Sequence, residues 1–346
     1  MKDIVKKSLT FAPLIGAAAL AAGWAIRSSL RTHYTFAGKS VFITGGSRGL
    51  GLVLARQFAQ QGARLTLVSR SAASLETAQQ DVQALGAEVF TIPADIRDPR
   101  QAASAVARAI DRYGAIDVLI NNAGIIQVGP YEVMTVDEFK DAMDTHFWGP
   151  LSLIMAVVPH MKSRGTGRIV NISSIGGRVA VPHLMPYTAS KFALAGLSDA
   201  FRAELAPSGI AVTSVYPGLM RTGSHVNAYF KGKHEQEFAW FSAMSGLPMF
   251  SIDAGRAARQ IVEACRERRP DLVITTQARI AVAVQGMFPS LMATAMKLIH
   301  RILPGPDSVA ANELRAGWDS TSRWSPSILT RLADKATEDN NEYQAA

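Results

Sequence analysis

The sequence contains very little cysteine and no dense cluster of charge. Cys265 is the only cysteine among 346 residues, which excludes an intramolecular disulfide and a metal site built from several thiolates. The formal net charge is +8, yet there is no run of five or six basic residues and no zinc-finger spacing. Nucleic acid is therefore the weakest partner for this basic chain, and acidic lipid or a phosphate-bearing cofactor is favoured. No metal site is predicted.

Charged residues are also missing from a long stretch near the N-terminus. Ser8 to Ile26 is uncharged, with three lysines before it and Arg27 and Arg31 after it. Its length approaches the ~20 residues that a membrane-spanning helix needs. We interpret residues 1–35 as a membrane anchor segment, which crosses the bilayer or lies in its interface. A cleaved signal peptide and a helix docked on the protein's own surface remain alternatives.

From Lys39 onward, short apolar runs typical of strands alternate with longer helical runs. SVFITGG precedes LGLVLARQFAQQG, and RLTLVSR precedes SLETAQQDVQALG. Strands that alternate with helices of ten or more residues indicate a parallel sheet with right-handed crossovers. We therefore predict an α/β fold, with one catalytic domain over residues 36–275.

Two later stretches break this alternation. Residues 223–250 are rich in Tyr, Phe, Trp and Met, and residues 278–304 form a second apolar segment interrupted at Gly286 and Pro289. The end of the chain, from about residue 315, is polar, and we expect it to be loosely ordered. Residues 276–346 are thus predicted to form a C-terminal extension, whose apolar part could serve as an oligomer contact, a membrane contact or a pocket wall.

A glycine-rich turn follows the first predicted strand and opens the first helix. It consists of Thr44, Gly45, Gly46, Ser47, Arg48, Gly49, Leu50 and Gly51. Glycines let the backbone approach a pyrophosphate, and the helix N-terminus supplies N–H groups and a favourable dipole. An ordinary βα turn is the alternative, but the strand–turn–helix context favours dinucleotide binding.

The end of the second predicted strand indicates which dinucleotide is bound. An acidic residue there would hold a ribose 2′-hydroxyl and repel a 2′-phosphate, but the strand ends with Ser69 and Arg70. Arg70 and Arg48 can both approach a phosphate with paired hydrogen bonds. NADP(H) is therefore favoured over NAD(H), unless the two arginines simply point into solvent.

Five motifs in order resemble those of the short-chain dehydrogenase/reductase family. They are T-G-x-x-x-G-x-G at 44–51, Asn121-Asn122-Ala123-Gly124, Ser174, Tyr187-x-x-x-Lys191, and Pro217-Gly218 with Thr222. The resemblance covers roughly residues 36–275 and implies a Rossmann-like, doubly wound parallel sheet with the ligand at the carboxyl edge of the strands. It also implies that Asp95 meets the adenine and that residues 121–124 support the sheet beside the nicotinamide ribose. The residues predicted to bind the cofactor are Thr44, Gly45, Ser47, Arg48, Gly49, Leu50, Gly51, Ser69, Arg70, Asp95, Asn122, Ala123, Gly124, Tyr187, Lys191, Pro217, Gly218 and Thr222.

The same resemblance implies a catalytic role for three side chains. Reduction of a ketone by hydride from the nicotinamide needs a proton for the developing alkoxide. Tyr187 is predicted to be the acid/base, and the Lys191 ammonium, one helical turn away, is expected to lower the tyrosine pKa from its usual ~10. Ser174 is predicted to hydrogen-bond the substrate carbonyl, with Ser173 as the nearby rival for that role.

His146 departs from the family pattern, which commonly has an asparagine at this place. An asparagine would help to position a water in the proton relay to Lys191. A histidine could relay protons itself, because its pKa lies near ~6.5, or it could be a structural residue with satisfied hydrogen bonds. If His146 blocks the relay, the protein would be a cofactor-binding scaffold with low turnover.

The substrate side is predicted from residues 223–250, which resemble the family's lid over the active site. Its aromatic residues suit a hydrophobic pocket for a lipophilic ketone, or else a subunit interface or a bilayer contact; they are Tyr229, Phe230, Phe238, Trp240 and Phe241. Four basic residues could form a rim that meets lipid headgroups, or a solvated loop; they are His225, Lys231, Lys233 and His234.

The predicted function is NADP(H)-dependent interconversion of a lipophilic ketone and a secondary alcohol. The enzyme is expected to be membrane-associated, with its catalytic domain facing the cytoplasm, where NADPH is available. An NAD-dependent alcohol dehydrogenase and the low-turnover scaffold are the alternatives. Family habit implies a homodimer or homotetramer.

Overall fold

The computed structural model describes residues 34–306, 313–327 and 329–342. Met1–Thr35 and Phe36–Ala346 form two separate compact units, and the second contains all the elements below. The predicted anchor stretch, residues 8–26, lies outside the described residues. Within the described ranges, no helix is both long enough and apolar enough to cross a bilayer.

The second unit is built on a seven-stranded parallel sheet, as the alternating pattern predicts. Its strand order is β3-β2-β1-β4-β6-β7-β11. These strands are β1 (Ser40–Thr44), β2 (Arg64–Ser69), β3 (Val89–Pro93), β4 (Val118–Asn121), β6 (Gly167–Ile172), β7 (Ile210–Pro217) and β11 (Asp271–Ile274). The order reverses between β1 and β4, so the crevice of a doubly wound sheet opens at their carboxyl ends.

Two small sheets lie outside the main one. The first pairs β8 (Leu219–Arg221) with β10 (Ser251–Asp253), and the second has the order β12-β9-β5. The strands of the second are β5 (Gln127–Val128), β9 (Tyr229–Phe230) and β12 (Arg315–Ala316). A strand from the C-terminal extension is therefore paired with the predicted lid.

Eleven α-helices are present in the described ranges. They are α1 (Gly49–Ala59), α2 (Ala72–Gln83), α3 (Pro99–Tyr113), α4 (Val136–Met143), α5 (Gly149–Ser163), α6 (Met185–Leu205), α7 (His234–Gly246), α8 (Ala254–Arg266), α9 (Thr276–Met287), α10 (Pro289–Ile302) and α11 (Arg331–Asp339). A π-helical turn, Asp144–Trp148, joins α4 to α5.

The helices that cover the sheet pack on it through apolar faces. Helix α3 shows how local sequence sets the boundaries: Asp98 accepts a hydrogen bond from the Arg100 amide at its start, and Gly114 ends it with φ 75°. Its buried face, which includes Ala102 and Val106, packs with α5 against the sheet in one apolar cluster. Central strands such as β1 are buried along their whole length, as expected for a parallel sheet.

The polar end of the chain is not loosely ordered in its described parts, contrary to the prediction. Helix α11 and the residues after it pack on the domain through polar contacts. Arg56 donates to Asn340 Oδ1 (3.1 Å) and to the Asp339 carbonyl (2.9 Å), and Asp334 Oδ1 lies 3.2 Å from Nε2 of the buried His225. Hydrophobic patterning could not reveal this docking, because hydrogen bonds and ion pairs carry much of it.

Candidate active site

A deep cleft opens at the carboxyl edge of the sheet, at the point where the strand order reverses. Most of the predicted cofactor and catalytic residues line it together. They are Gly45, Ser47, Arg48, Gly49, Leu50, Ser69, Arg70, Asp95, Asn122, Ala123, Gly124, His146, Ser174, Tyr187, Lys191, Pro217, Gly218 and Thr222. Side chains that are up to 175 positions apart in the sequence thus converge on one site.

The glycine turn forms the floor of one end of this cleft. Gly45 has φ 62°, and a Cβ there would lie 2.9 Å from the Ala123 Cα; a Cβ on Gly51 would overlap the Gly45 carbonyl. The Thr44 hydroxyl accepts hydrogen bonds from the amides of Asn122 (3.0 Å) and Ala123 (3.1 Å). Thr44 therefore fixes β1 to the end of β4, and the turn presents its backbone to the cleft at the start of α1. Such a surface fits a pyrophosphate.

Two cationic side chains and no β2 carboxylate lie at the end of the cleft beside β2. Arg70 follows β2 and is exposed, and Arg48 precedes α1 and is partly buried. Asp95 is on the cleft wall, where Arg97 Nη2 donates to its Oδ2 at 2.6 Å. That hydrogen bond lowers the pKa of Asp95, and the charge of Arg70 acts in the same direction. The electrostatics and donor set at this end fit a phosphate group.

Ser174, Tyr187 and Lys191 meet at the other end. Ser174 follows β6, while Tyr187 and Lys191 lie one turn apart on α6. The Ser174 hydroxyl lies close enough to the Tyr187 hydroxyl to lower the tyrosine pKa by hydrogen bonding. Lys191 Nζ lies 5.6 Å from the centroid of the Tyr187 ring and donates to the Ile172 carbonyl at 2.9 Å. Ser173 instead donates to the Lys191 carbonyl (2.9 Å), so Ser174 is the serine that faces Tyr187.

The acidities of this pair differ from the expectation that Lys191 lowers the tyrosine pKa. Burial raises the pKa of Tyr187, and only the hydrogen bond from Ser174 opposes that shift. Burial also lowers the pKa of Lys191 from 10.5 to about 7. The prediction that Lys191 lowers the Tyr187 pKa was therefore wrong for the protein without its cofactor. Desolvation disfavours both the tyrosine phenolate and the lysine ammonium. At neutral pH the tyrosine therefore keeps its proton, which is the form that a proton donor needs.

Both ring nitrogens of His146 are engaged in hydrogen bonds. Nε2 accepts from the Ile125 amide (3.1 Å), so the proton of the neutral ring is on Nδ1, which lies 2.8 Å from Ser190 Oγ. The Ser190 hydroxyl in turn donates to the Tyr187 carbonyl at 2.9 Å. Burial, followed by the charge of Lys191, holds the pKa of His146 well below 6.5. This geometry favours the structural interpretation of His146, because the ring is neutral and has no free nitrogen.

The remaining predicted residue positions lie at the mouth of the cleft. Pro217 ends β7, and the Gly218 amide donates to the Ile274 carbonyl (3.2 Å). The Thr222 hydroxyl donates to Ser224 Oγ at 2.9 Å. Pro217, Gly218, Met220 and Thr222 of this loop all line the cleft.

Sequence reasoning missed several lining residues, of which Glu342 is the most unusual. This glutamate is 3% exposed, and its Oε2 accepts from Asn227 Nδ2 at 2.7 Å and lies 3.6 Å from Arg48 Nε. Burial raises its pKa to about 7, against the opposing effects of Arg48 and Asn227. No local signal could have found it, because it lies in a polar tail about 290 positions after the glycine turn.

The predicted lid places its aromatic residues mostly inside the domain. Phe230, Phe238 and Phe241 are buried in one cluster with Val128 and Leu184, and Trp240 packs against that cluster. Among the five predicted aromatic residues, Tyr229 lines the cleft. The lid aromatics therefore form a small core of their own, and Tyr229 presents a ring to the substrate end.

The predicted basic rim is also different in the structure. Lys231 is buried and paired with Glu138 (2.6 Å), and the buried His225 pairs with Asp334. Lys233 is exposed and His234 partly exposed. Two of the four basic residues therefore hold the lid to neighbouring elements, because buried polar groups need partners, and they do not face lipid headgroups.

Comparison with known proteins agrees with the fold and the site. The family model described as short chain dehydrogenase matches residues 39–230, which is more than half of the chain. The chain therefore belongs to the short-chain dehydrogenase/reductase family, whose members are oxidoreductases that use a nicotinamide cofactor.

Individual relatives cover most of the chain. It is 31% identical over 301 residues to dehydrogenase/reductase SDR family member 7B of Bos taurus, with 85% of this chain and 91% of the relative aligned. It is 39% identical over 194 residues to ketoacyl reductase HetN of Nostoc sp., with 56% and 68% aligned. A short-chain dehydrogenase from Streptomyces avermitilis has a similar structure, with a TM-score of 0.64 and 30% identity over 76% of this chain and 97% of that one.

Proposed function

We propose that the protein reduces a lipophilic ketone to a secondary alcohol with NADPH. The observation that carries this proposal is the convergence of Ser174, Tyr187 and Lys191 at one end of a cleft whose other end has Arg48 and Arg70. The bound cofactor would supply the hydride. The cradle for it consists of the glycine turn, Asn122, the loop after Pro217 and the two arginines.

The chain's own residues bind the ketone and provide the proton. Tyr187 keeps its proton at neutral pH and donates it to the carbonyl oxygen as charge develops there. The Ser174 hydroxyl lies beside the tyrosine hydroxyl, so both can contact the same oxygen and hold the carbonyl in place. Lys191 is buried next to the ring and, when protonated, favours the phenolate that remains after proton transfer.

A lipophilic substrate is favoured by the residues around the proton donor. Ile125, Ile126, Met220, Ala228 and Tyr229 line the same cleft as Tyr187. Apolar walls with a few convergent polar groups are typical of sites for apolar ligands. The name of the relative from Nostoc, a ketoacyl reductase, agrees with a ketone on an acyl chain.

Membrane association is supported by a feature beside the site, the α9–α10 hairpin (residues 276–302). Only Ala278 and Met292 are buried among its residues. Apolar side chains such as Leu298 and Ile302 are exposed, and the sequence has no acidic residue between Asp271 and Asp307. Exposed apolar residues among basic ones suit an anionic membrane surface.

The hairpin lies next to the active-site region. The His300 ring on α10 contacts the His183 ring, at a centroid distance of 5.4 Å, and His183 is four residues before Tyr187. We propose that the hairpin rests on a bilayer and brings the substrate side of the cleft close to it. The N-terminal anchor, a cytoplasmic catalytic domain and assembly into a dimer or tetramer remain part of the same proposal.

A ketone series tests the proposed function. The full-length protein is assayed with NADPH and 3-ketoacyl or methyl ketones of increasing chain length. We expect kcat/KM to rise by about tenfold for every two methylenes at first, since each buried CH₂ contributes ~0.8 kcal/mol. Faster alcohol oxidation with NAD than ketone reduction with NADPH would favour the alternative dehydrogenase. Tight NADPH binding without turnover on any ketone would favour the scaffold.

A further inference from the structure

The end of the chain occupies part of the cofactor cleft. The terminal segment (residues 331–342) comprises α11 and the three residues after it. The Asn340 carbonyl accepts a hydrogen bond from the Gly49 amide (2.9 Å), and Asn341 Nδ2 donates to the Ser47 carbonyl (2.9 Å). The segment therefore already occupies one backbone hydrogen-bond donor of the glycine turn, the Gly49 amide at the start of α1.

The segment also contacts the opposite wall of the cleft. Asn340 Nδ2 donates to the Thr222 carbonyl (3.2 Å), and Gly223 packs so closely on Thr337 that a Cβ would lie 2.5 Å from the Thr337 Cα. Asn227, on the same wall, donates to the Glu342 carboxylate. The terminal segment thus bridges the glycine turn and the loop after Pro217, which are the two walls that a pyrophosphate would have to contact.

Glu342 brings a carboxyl group to this point, and above its pKa of about 7 this group carries a negative charge. Its carboxylate lies so close to Gly49 that a Cβ there would overlap Oε1, and its Oε2 is paired with Arg48. The side chain is buried and lines the cleft. A buried carboxylate that contacts an arginine, an amide donor and the glycine turn has the partners that a phosphate would take.

We propose that the terminal segment is an internal competitor of the cofactor, in which the Glu342 carboxylate takes the place of a cofactor phosphate until the dinucleotide displaces it. The inference rests on the proposed use of NADP(H). This competition weakens NADPH binding more than NADH binding, because the additional 2′-phosphate of NADPH also requires Arg48. Glu342 is thereby a residue that limits cofactor affinity and narrows the preference for NADPH.

Equilibrium binding of NADPH and NADH at pH 8, where the Glu342 carboxyl is ionised, to full-length wild-type and Glu342→Gln proteins tests the inference. Glutamine keeps the size and the contact with Asn227 but removes the charge. Glu338→Gln is the matched control, since Glu338 is exposed on the same segment. We expect the Kd of NADPH to fall about tenfold in Glu342→Gln, that of NADH to fall less, and neither to change in Glu338→Gln. An unchanged or raised Kd for NADPH in Glu342→Gln would overturn the inference.

Hydrogen exchange of the wild-type protein gives a second readout that needs no variant. Saturating NADPH should increase amide exchange in residues 331–342 while it protects the glycine turn. Added protection of residues 331–342 would show that the segment closes over the cofactor, and would contradict displacement. The proposed function can fail separately: a protein with no reductase activity that still shows the Glu342→Gln effect supports the inference alone. Normal reductase activity without that effect supports the function alone.

Discussion

Lys191 Nζ lies 5.6 Å from the centroid of the Tyr187 ring, in a site where burial disfavours charge on either side chain. The tyrosine therefore carries its proton at neutral pH. This relationship supports the proposed reduction, since a protonated phenol can donate to a ketone, whereas alcohol oxidation would first require the phenolate. The predictions below start from this pair.

Removal of the Tyr187 hydroxyl should abolish proton delivery without removing the cofactor site. We expect Tyr187→Phe to lower kcat for ketone reduction by ~10²- to 10⁴-fold, the usual contribution of a general acid. The Kd of NADPH should stay within about threefold, because the ring and the Lys191 contacts remain. Tyr131→Phe, at an exposed tyrosine, is the control. A kcat that changes less than about threefold in Tyr187→Phe would exclude Tyr187 as the proton donor.

The buried amine of Lys191 should make stability depend on pH in the alkaline range. Between the folded pKa of about 7 and the ordinary value of 10.5, the unfolded chain binds a proton that the folded chain does not. The free energy of unfolding should therefore rise with pH across this window, by up to ~5 kcal/mol at ~1.4 kcal/mol per unit.

Denaturant unfolding from pH 6 to pH 10 measures this effect as the difference between wild type and Lys191→Met. The difference in unfolding free energy should change steadily between pH 7 and 10. Wild type should become more stable relative to the variant as the pH rises. Lys162→Met, at an exposed lysine, is the control, and its unfolding free energy should depend on pH in the same way as that of wild type. A pH-independent difference for Lys191→Met would mean that the Lys191 pKa is close to its ordinary value.

His146 should act on stability more than on chemistry. His146→Asn loses the hydrogen bonds to Ser190 and the Ile125 amide or makes them poorly, so we expect a loss of about 1 to 3 kcal/mol of unfolding free energy. His160→Asn is the matched control, because His160 Nε2 has no partner in the described ranges. The kcat of His146→Asn should not exceed that of wild type. A large rise in kcat would instead support the interpretation of the natural chain as a low-turnover scaffold.

The α9–α10 hairpin should contribute to binding of anionic membranes. Vesicles of phosphatidylcholine with and without phosphatidylglycerol are floated with full-length wild type and Ile302→Glu. Ile302 is 83% exposed, and the substitution removes apolar area and adds a repelled charge, so partitioning to the anionic vesicles should fall about tenfold. Leu85→Glu is the control at an exposed leucine outside the hairpin. An equal effect of both substitutions, or a dimer that Ile302→Glu dissociates, would contradict the membrane contact.

The sequence predicted the parts of the site that local motifs encode. The strand–turn–helix pattern around Gly45 and Gly49 predicted the glycine turn that precedes α1, and the four-residue spacing of Tyr187 and Lys191 placed both on one helix face. Those patterns depend on backbone geometry within a few residues. The alternation of apolar runs likewise predicted the parallel sheet, because both faces of its central strands are buried.

Features that depend on distant partners could not be predicted in this way. The tautomer of His146 depends on the Ile125 amide, 21 positions earlier, and the Tyr187 pKa depends on burial that only the fold creates. Glu342 reaches the cleft through a polar segment without a hydrophobic pattern. The aromatic composition of the lid predicted a substrate pocket. Three of its rings, Phe230, Phe238 and Phe241, instead pack on each other, because β9 and α7 bring them together.

Cofactor choice is the most direct test of the proposed NADPH-dependent reductase. The Kd values of NADPH and NADH are measured by fluorescence titration for full-length wild type, Arg70→Ala and the exposed control Arg100→Ala. Wild type should prefer NADPH, and Arg70→Ala should weaken NADPH binding about 10- to 100-fold toward the NADH value, which should itself stay within about twofold. Equal or tighter binding of NADH by the wild-type protein would contradict the NADPH assignment.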